Sequence, residues 1–245
     1  MSYTHSPRII TSSLQLYLDA GNTKSYAGTG STWLDLTENA DTFASSYYTY
    51  PSSAITGSNR YFSFINNGTT VNNIYNASPK LTTYTQRQYT RMAWFNLQTG
   101  NSAWSPIIQN SIGNNSDMGL AINGGYIHFR QYTRTYTSGT TDGDYGVNSV
   151  GTINSNTWNS AAIVVDLFSP TVTFYINGKF DSTTSLNTIG NSSSNTIIIG
   201  GAATDSYSGD RMFKGYISAA MHYNRLLTPT EILQNHNALK GRFGL

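Results

Sequence analysis

The sequence predicts an all-β protein of two packed antiparallel sheets with one short C-terminal helix. Three observations lead there. Short apolar–polar alternations recur along the 245 residues, punctuated by Gly, Asn and Ser, the period-2 pattern of half-buried strands. Charged residues are 11% of the chain, which instead carries 18 tyrosines and many hydroxyl and amide side chains. That composition suits strands and loops better than helical surfaces, which favour Glu, Lys and Ala. One segment near the C-terminus carries helix start and stop signals.

The first alternation is "LQLYL" (14–18), followed by Asp19 and Ala20-Gly21-Asn22. The next acid is Asp35, so Asp19 reads as a strand-end residue that accepts hydrogen bonds from the following turn rather than as a metal ligand. It would fix the start of the long connection that Trp33 anchors at its far end. "RYFSFI" (60–65) and "YTRMAWFNL" (89–97) follow. The second places Met92 and Trp94 on one face and Ala93, Phe95 and Leu97 on the other. "MGLAIN" and "YIHFRQ" flank a hairpin signal at Asn123-Gly124. "TVTFYI" runs through a second, Asn177-Gly178, into "KFDST". "SAAIVVDLF", "TIIIG" (196–200) and "FKGYISAAMHY" (213–223) complete the strands. In "LTPTEILQNHNALKG", Thr228 is the N-cap, Pro229 the first helical residue and Glu231 the partner of a capping box. Ile232, Leu233, His236 and Leu239 form the expected apolar stripe, and Gly241 the stop. Regions 37–59, 66–88, 132–157 and 201–211 read as loops. With no repeat and no linker, residues 1–13 are an N-terminal arm and 14–245 one domain of two packed sheets.

Four blocks resemble, in order, LamG-like domains with the concanavalin A-like jelly-roll fold. They are "LQLYLDAGNTKSYAGTGSTWLDLT", "TRMAWFNL", the pair "NTWNSAAIVVD" and "VTFYINGK", and "FKGYISAAMHYNRLLTPTEILQNHNALKGRFGL". In that pattern a penultimate strand ends in Tyr-Asn-Arg and a capped helix follows. The resemblance implies a two-sheet antiparallel jelly-roll sandwich. It implies less about function, because relatives include lectins, glucanases, laminin-type adhesion modules and pentraxin-like binders. The ending "NALKGRFGL" is similar to stand-alone modules of bacteriophage and other viral structural proteins. This implies a non-enzymatic virion component: a capsid decoration, a fibre head or a tail-associated adhesion module. Its partners would be other capsid or tail proteins and cell-surface glycan. A free carbohydrate-binding lectin is the alternative, and a glycoside hydrolase a third reading.

Composition narrows the chemistry. A net charge of +2 with scattered Lys and Arg argues against nucleic acid. The absence of cysteine excludes disulfides, a thiolate nucleophile and Cys-ligated zinc. No signal-like apolar stretch opens the chain and no segment approaches about 18 apolar residues, so the expectation is no membrane span and synthesis in a host cytoplasm. Glycosidases of the resembled fold carry an E-x-D-x-x-E run on one strand, and retaining chemistry needs two carboxyl groups about 5 Å apart. The two glutamates here are Glu38, in a loop, and Glu231, in the capping box, while Asp166 stands alone. There is no G-x-S-x-G elbow and no H-E-x-x-H pair. His5, His128, His222 and His236 therefore read as structural.

Binding candidates remain. The segment from Arg130 to Tyr145 offers Tyr132, Arg134, Tyr136, Asp142, Asp144 and Tyr145 in a polar, Gly-containing loop. Tyrosine supplies contact area at low entropy cost, so this is a contact surface for a glycan, a partner protein, or a neighbouring subunit of a homo-oligomer. "SSYYTYPSS", with Tyr47, Tyr48 and Tyr50, is a second such loop. No cofactor is firmly indicated. Calcium, which accompanies some members of the resembled fold, has candidates in Asp142 with Asp144 and Asp205 with Asp210, acids that also suit turns.

Overall fold

The computed structural model describes residues 7–44, 52–56, 59–64, 73–76, 79–80, 86–101, 105–112, 115–133, 143–186, 196–201 and 213–245. In chain order the strands are β1 (Leu14–Asp19), β2 (Thr32–Leu34), β3 (Thr42–Ala44), β4 (Ser52–Thr56), β5 (Asn59–Phe64), β6 (Ile74–Asn76), β7 (Gln88–Leu97) and β8 (Ser105–Ile112). They continue as β9 (Asn115–Asn123), β10 (Tyr126–Thr133), β11 (Gly143–Thr152), β12 (Trp158–Asp166), β13 (Thr171–Ile176), β14 (Lys179–Ser185), β15 (Ile197–Ile199) and β16 (Gly215–Tyr223). Helix α1 (Pro229–Leu239) follows.

Two antiparallel sheets result, as expected. The first runs β14-β13-β12-β7-β16-β5-β4, with β1 also on β16; the second runs β11-β10-β9-β8-β15-β6-β3-β2. The alternation read in "YTRMAWFNL" explains why β7 sits at the middle of the first sheet. Ala93, Phe95 and Leu97 join the core between the sheets with Trp33, Phe62, Phe129 and Phe174. Met92 and Trp94 join a second apolar layer with Ile232, Leu239 and Phe243, where α1 covers the sheet's outer face. A strand buried on both faces calls for a continuous apolar run, which β7 supplies from Met92 to Phe95, with Thr90, Arg91 and Asn96 as buried polar residues beside it.

Strand β16 shares one edge between two partners. Gly215–Ile217 pair with β5, and Ala219–Tyr223 with β1. The switch falls at Ser218, where the register against β7 is broken. Ser218 ties the junction: its carbonyl accepts from Ala20 N at 2.8 Å and its hydroxyl donates to the Arg60 carbonyl at 2.6 Å.

The capping box forms as predicted. The Thr228 hydroxyl accepts from Glu231 N at 3.3 Å, and the Glu231 carboxylate accepts from Thr228 N at 2.9 Å. Arg225 grips that carboxylate with two donors at 2.7 and 2.8 Å. Thr228→Ala is therefore expected to lower stability by about 1 kcal/mol, read as a shift in denaturant midpoint. An unchanged midpoint would mean that packing alone places the helix. Two details differ from expectation. Leu233 is 43% exposed, and Asn235 is buried instead, because the core-facing set Ile232, Asn235, His236, Leu239 follows i, i+3, i+4, i+7. Asn235 accepts from Ile10 N at 2.8 Å and donates to the Tyr223 hydroxyl at 3.0 Å, pinning the N-terminal arm over the helix. Gly241 is not the stop; the helix ends at Leu239 and tightens into a 3₁₀ turn over Lys240–Arg242.

The hairpin at Asn177-Gly178 holds, with both residues at positive φ. The other is shifted by one: Asn123 pairs with Tyr126, so Gly124-Gly125 form the two-residue turn, which needs positive φ at both positions. The regions read as loops contain β3, β4, β6 and β11. Strand β11, "GDYGVNSVGT", holds three glycines and few apolar residues, so it lacks the composition that signals a strand.

Candidate binding surface

Asp19 is a structural acid, as its neighbours in sequence suggest. One oxygen accepts from Gly21 N at 2.9 Å and the other from the Tyr17 hydroxyl at 2.8 Å. Its additional partner is Arg242, whose guanidinium spans both oxygens at 2.8 and 2.9 Å. Burial, and then the charge of Asp19, push the Tyr17 phenol far above its usual range, so it remains a donor.

The other acids are similarly engaged. Asp35 accepts from Tyr17 N at 2.8 Å, Thr37 N at 3.0 Å and the Thr37 hydroxyl at 2.5 Å; burial outweighs these bonds and raises its carboxyl above the usual range. Asp166 closes a turn by accepting from Phe168 N and Ser169 N. Partial desolvation opposes its charged form, but these amides and Gln88 outweigh it and lower its pKa. Glu231 is pulled down to about 2 by its bonds from Arg225 and Thr228 despite some burial. Among the described residues no three His, Asp or Glu side chains converge as a metal-binding group; Asp142, Asp205 and Asp210 lie outside the described residues.

The described histidines are packed, and His5 lies outside the described residues. His236 Nδ1 meets the Ser160 hydroxyl at 2.8 Å in the layer under α1. His222 lies between Arg91 Nε (3.3 Å from Nδ1) and the Gln86 carbonyl (2.7 Å from Nε2) and stacks on Tyr89. Burial and then Arg91 hold His222 well below an ordinary imidazole; burial, then Lys240 and Lys179, lower His236. The unfolded chain takes up these protons near pH 6.5 and the folded chain does not. Stability is thus complete above that pH and falls below it, by up to about 1.4 kcal/mol per pH unit for His222. Denaturant midpoints should decline from about pH 7 to 5, and less steeply in His236→Gln. A flat profile would contradict neutral histidines in the fold.

The tyrosine-rich segment divides between strands and undescribed chain. Tyr132 ends β10, and Asp144 and Tyr145 begin β11. Arg134, Tyr136 and Asp142 lie outside the described residues. Residues 130–133 and 143–145 are thus strand rather than loop, at the paired ends of β10 and β11. Register pairs Tyr132 with Asp144, Arg130 with Gly146 and His128 with Asn148 in one row, while Tyr145 pairs with Gln131 in the row of Phe129 and Val147. Phe129 belongs to the inter-sheet core, so His128 and Arg130 lie on the sheet's other face, where His128 is buried and Arg130 half-buried. Arg130 also pairs with Gly119 on β9. A glycine therefore stands on either side of Arg130. The fit around His128 is close: its Nδ1 lies 2.6 Å from Asn148 Oδ1, and a Cβ on Gly146 would come within 2.2 Å of its ring. The result is a three-strand floor carrying a cation, with an aromatic and an acidic residue at the next paired positions of the row. The alternation in "YIHFRQ" separates the two rows, but the glycines beside Arg130 come from the two flanking strands, and only the strand register makes them its neighbours.

A second surface was not anticipated. Tyr216, Tyr61, Trp158 and Phe243 form a chain of half-buried and buried rings on the outer face of the first sheet, with centroids 4.6, 5.7 and 4.7 Å apart. Successive rings are tilted by 42°, 58° and 37°, so they form no flat platform. Their packing seats the C-terminal Phe243.

Residues 72–233 match the family model described as the concanavalin A-like lectin/glucanases superfamily. No curated protein matches the chain. Among solved structures, the binding domain of Paraclostridial Mosquitocidal Protein 1 superposes with a TM-score of 0.65 at 16% identity, covering 93% of this chain and 52% of that one. The receptor-binding domain of botulinum neurotoxin type G gives 0.61 at 18% identity, covering 91% and 50%. Domain 4 of AbnA, an extracellular arabinanase from Geobacillus stearothermophilus solved with arabinotriose, gives 0.60 at 15% identity, covering 91% of this chain and 98% of that one. The chain thus spans about half the length of the toxin domains. At these identities the likeness is one of fold.

Proposed function

We propose that this chain, which belongs to the concanavalin A-like lectin/glucanase superfamily, is a non-enzymatic module that binds glycan on the outer face of β9–β11. The observation that carries the reading is the row Arg130, Tyr132 and Asp144, brought together by strand register on a glycine-flanked floor. A guanidinium and a carboxylate are the planar partners that sugar hydroxyls need, and tyrosine gives a ring to stack on a sugar face. The arabinanase domain solved with arabinotriose supports the reading, since it has the same fold over nearly its whole length. The commitment of Asp166 and Glu231 to turn and cap supports a binding rather than a hydrolytic role.

The test is a glycan array followed by titration of the best ligand with Arg130→Ala and with the double variant Tyr132→Ala, Tyr136→Ala. Binding should weaken at least about tenfold, the value of one lost charged hydrogen bond, with the melting temperature nearly unchanged. Undiminished binding in both variants, or release of reducing sugar from a bound polysaccharide, would overturn the reading.

We place the module on a phage-like particle, as a capsid decoration, a fibre head or a tail-associated adhesin, docked on other virion proteins. The resemblance of its C-terminal block and the lack of cysteine support this. Flanking genes for capsid or tail proteins are the expected finding; a neighbourhood of secreted carbohydrate-active enzymes would favour a free lectin.

A further inference from the structure

A groove of about 560 Å³ lies on the opposite edge of the fold, between the N-terminal segment 9–15 and the turn 36–39. Its volume falls within the range of about 300–1,000 Å³ typical of small-molecule clefts. The framework around it is tightly determined. The free edge of β1 is closed by the 35–39 segment: Leu36 N donates to the Tyr17 carbonyl at 2.9 Å, Tyr17 N to Asp35 at 2.8 Å, and Asn39 Nδ2 to the Gln15 carbonyl at 2.7 Å. A peptide therefore cannot enter by adding a strand there. Two non-glycine residues in left-handed conformation, Ser13 (φ 61°) and Ala40 (φ 50°), bend the chain at the two borders, a conformation that persists only where the surroundings impose it.

The groove's contents differ from its frame. Tyr17 and Leu36 supply an aromatic and an aliphatic wall. The side chains of Ser13, Gln15 and Glu38 line it and make no hydrogen bond to another described residue. A hydroxyl, a carboxamide and a carboxylate thus converge on one half-open space beside a ring whose own hydroxyl is held by Asp19 at 2.8 Å. Glu38 is the charged side chain among those lining it, which disfavours an anionic ligand. The lining is too polar for an apolar one.

We propose that this groove is a second saccharide site, taking a neutral sugar whose ring lies against Tyr17 and Leu36 and whose hydroxyls bond to Gln15, Glu38 and Ser13. It does not depend on the β9–β11 surface, and the two are tested separately. The experiment is an amide-resolved NMR titration of the full chain with maltotriose and with cellotriose at millimolar concentration, with a hyaluronan tetrasaccharide as the anionic probe. The side-chain amides of Gln15 and Asn39 should shift with a neutral oligosaccharide and not with the anionic one. Glu38→Ala, at an exposed position that leaves the fold intact, should weaken the shift at least about tenfold. Tyr132→Ala should leave it unchanged. Stationary Gln15 and Asn39 signals with both neutral probes, a response to the hyaluronan probe instead, or full binding in Glu38→Ala would overturn the proposal.

Discussion

Asp19→Ala is expected to cost about 3–5 kcal/mol, the range for breaking one partner out of a buried pair. The Asp19 side chain is 5% exposed and accepts four hydrogen bonds, from Arg242 twice, Tyr17 and Gly21. Removing it strands a phenol, a backbone amide and most of a guanidinium together, and unsatisfied buried donors carry the full desolvation cost. Arg242→Ala should cost less, because the carboxylate keeps Tyr17 and Gly21. Gly21 permits the contact: a Cβ there would lie 2.1 Å from Arg242 Nη2. Gly21→Ala should therefore expel the guanidinium, and adding it to Arg242→Ala should cost little more. Chemical denaturation of the four variants measures this. A loss below about 1 kcal/mol for Asp19→Ala would show that the clamp is replaced by water.

The parts of this fold that were legible in the sequence are those whose causes are local. The capping box needs Thr228 and Glu231 three residues apart, and the Asn177-Gly178 turn two adjacent residues. The two faces of "YTRMAWFNL" need only alternation. Asp19 was readable as a turn acid from Gly21, but its ion pair joins residues 223 positions apart, which no local pattern announces. Strand β11 escaped because its glycines serve their neighbours: Gly146 makes room for His128, and Gly151 for Asp181 across the seam between the sheets. Of the candidate site, the chemistry was visible in Tyr132 and Asp144, but their pairing required the hairpin register. The groove beside Tyr17 was invisible for the same reason, since its two walls meet only when 36–39 closes the edge of β1.

Trp33→Ala should also cost about 3–5 kcal/mol, the loss for truncating a large buried aromatic. Trp33 is fully buried on the three-residue strand β2, its ring 4.6 Å from Phe62, which in turn meets Tyr26 at 4.7 Å. Its indole nitrogen has no hydrogen-bond partner among the described residues, so its contribution is volume and apolar contact. Trp33→Phe should recover most of the loss. The two ends of the connection it anchors meet at Ser25. The Ser25 hydroxyl accepts from Asp19 N at 3.1 Å and donates to the Leu34 carbonyl at 2.5 Å, while Leu34 N donates to the Ser25 carbonyl at 2.8 Å. Asp19 and Trp33 therefore close one loop from opposite ends. Once either is gone, the other holds a loop already loosened, so the double variant should lose less than the sum of the singles, by about 0.5–3 kcal/mol. Strict additivity in the double-mutant cycle would mean that each end is held independently and that Ser25 transmits nothing between them.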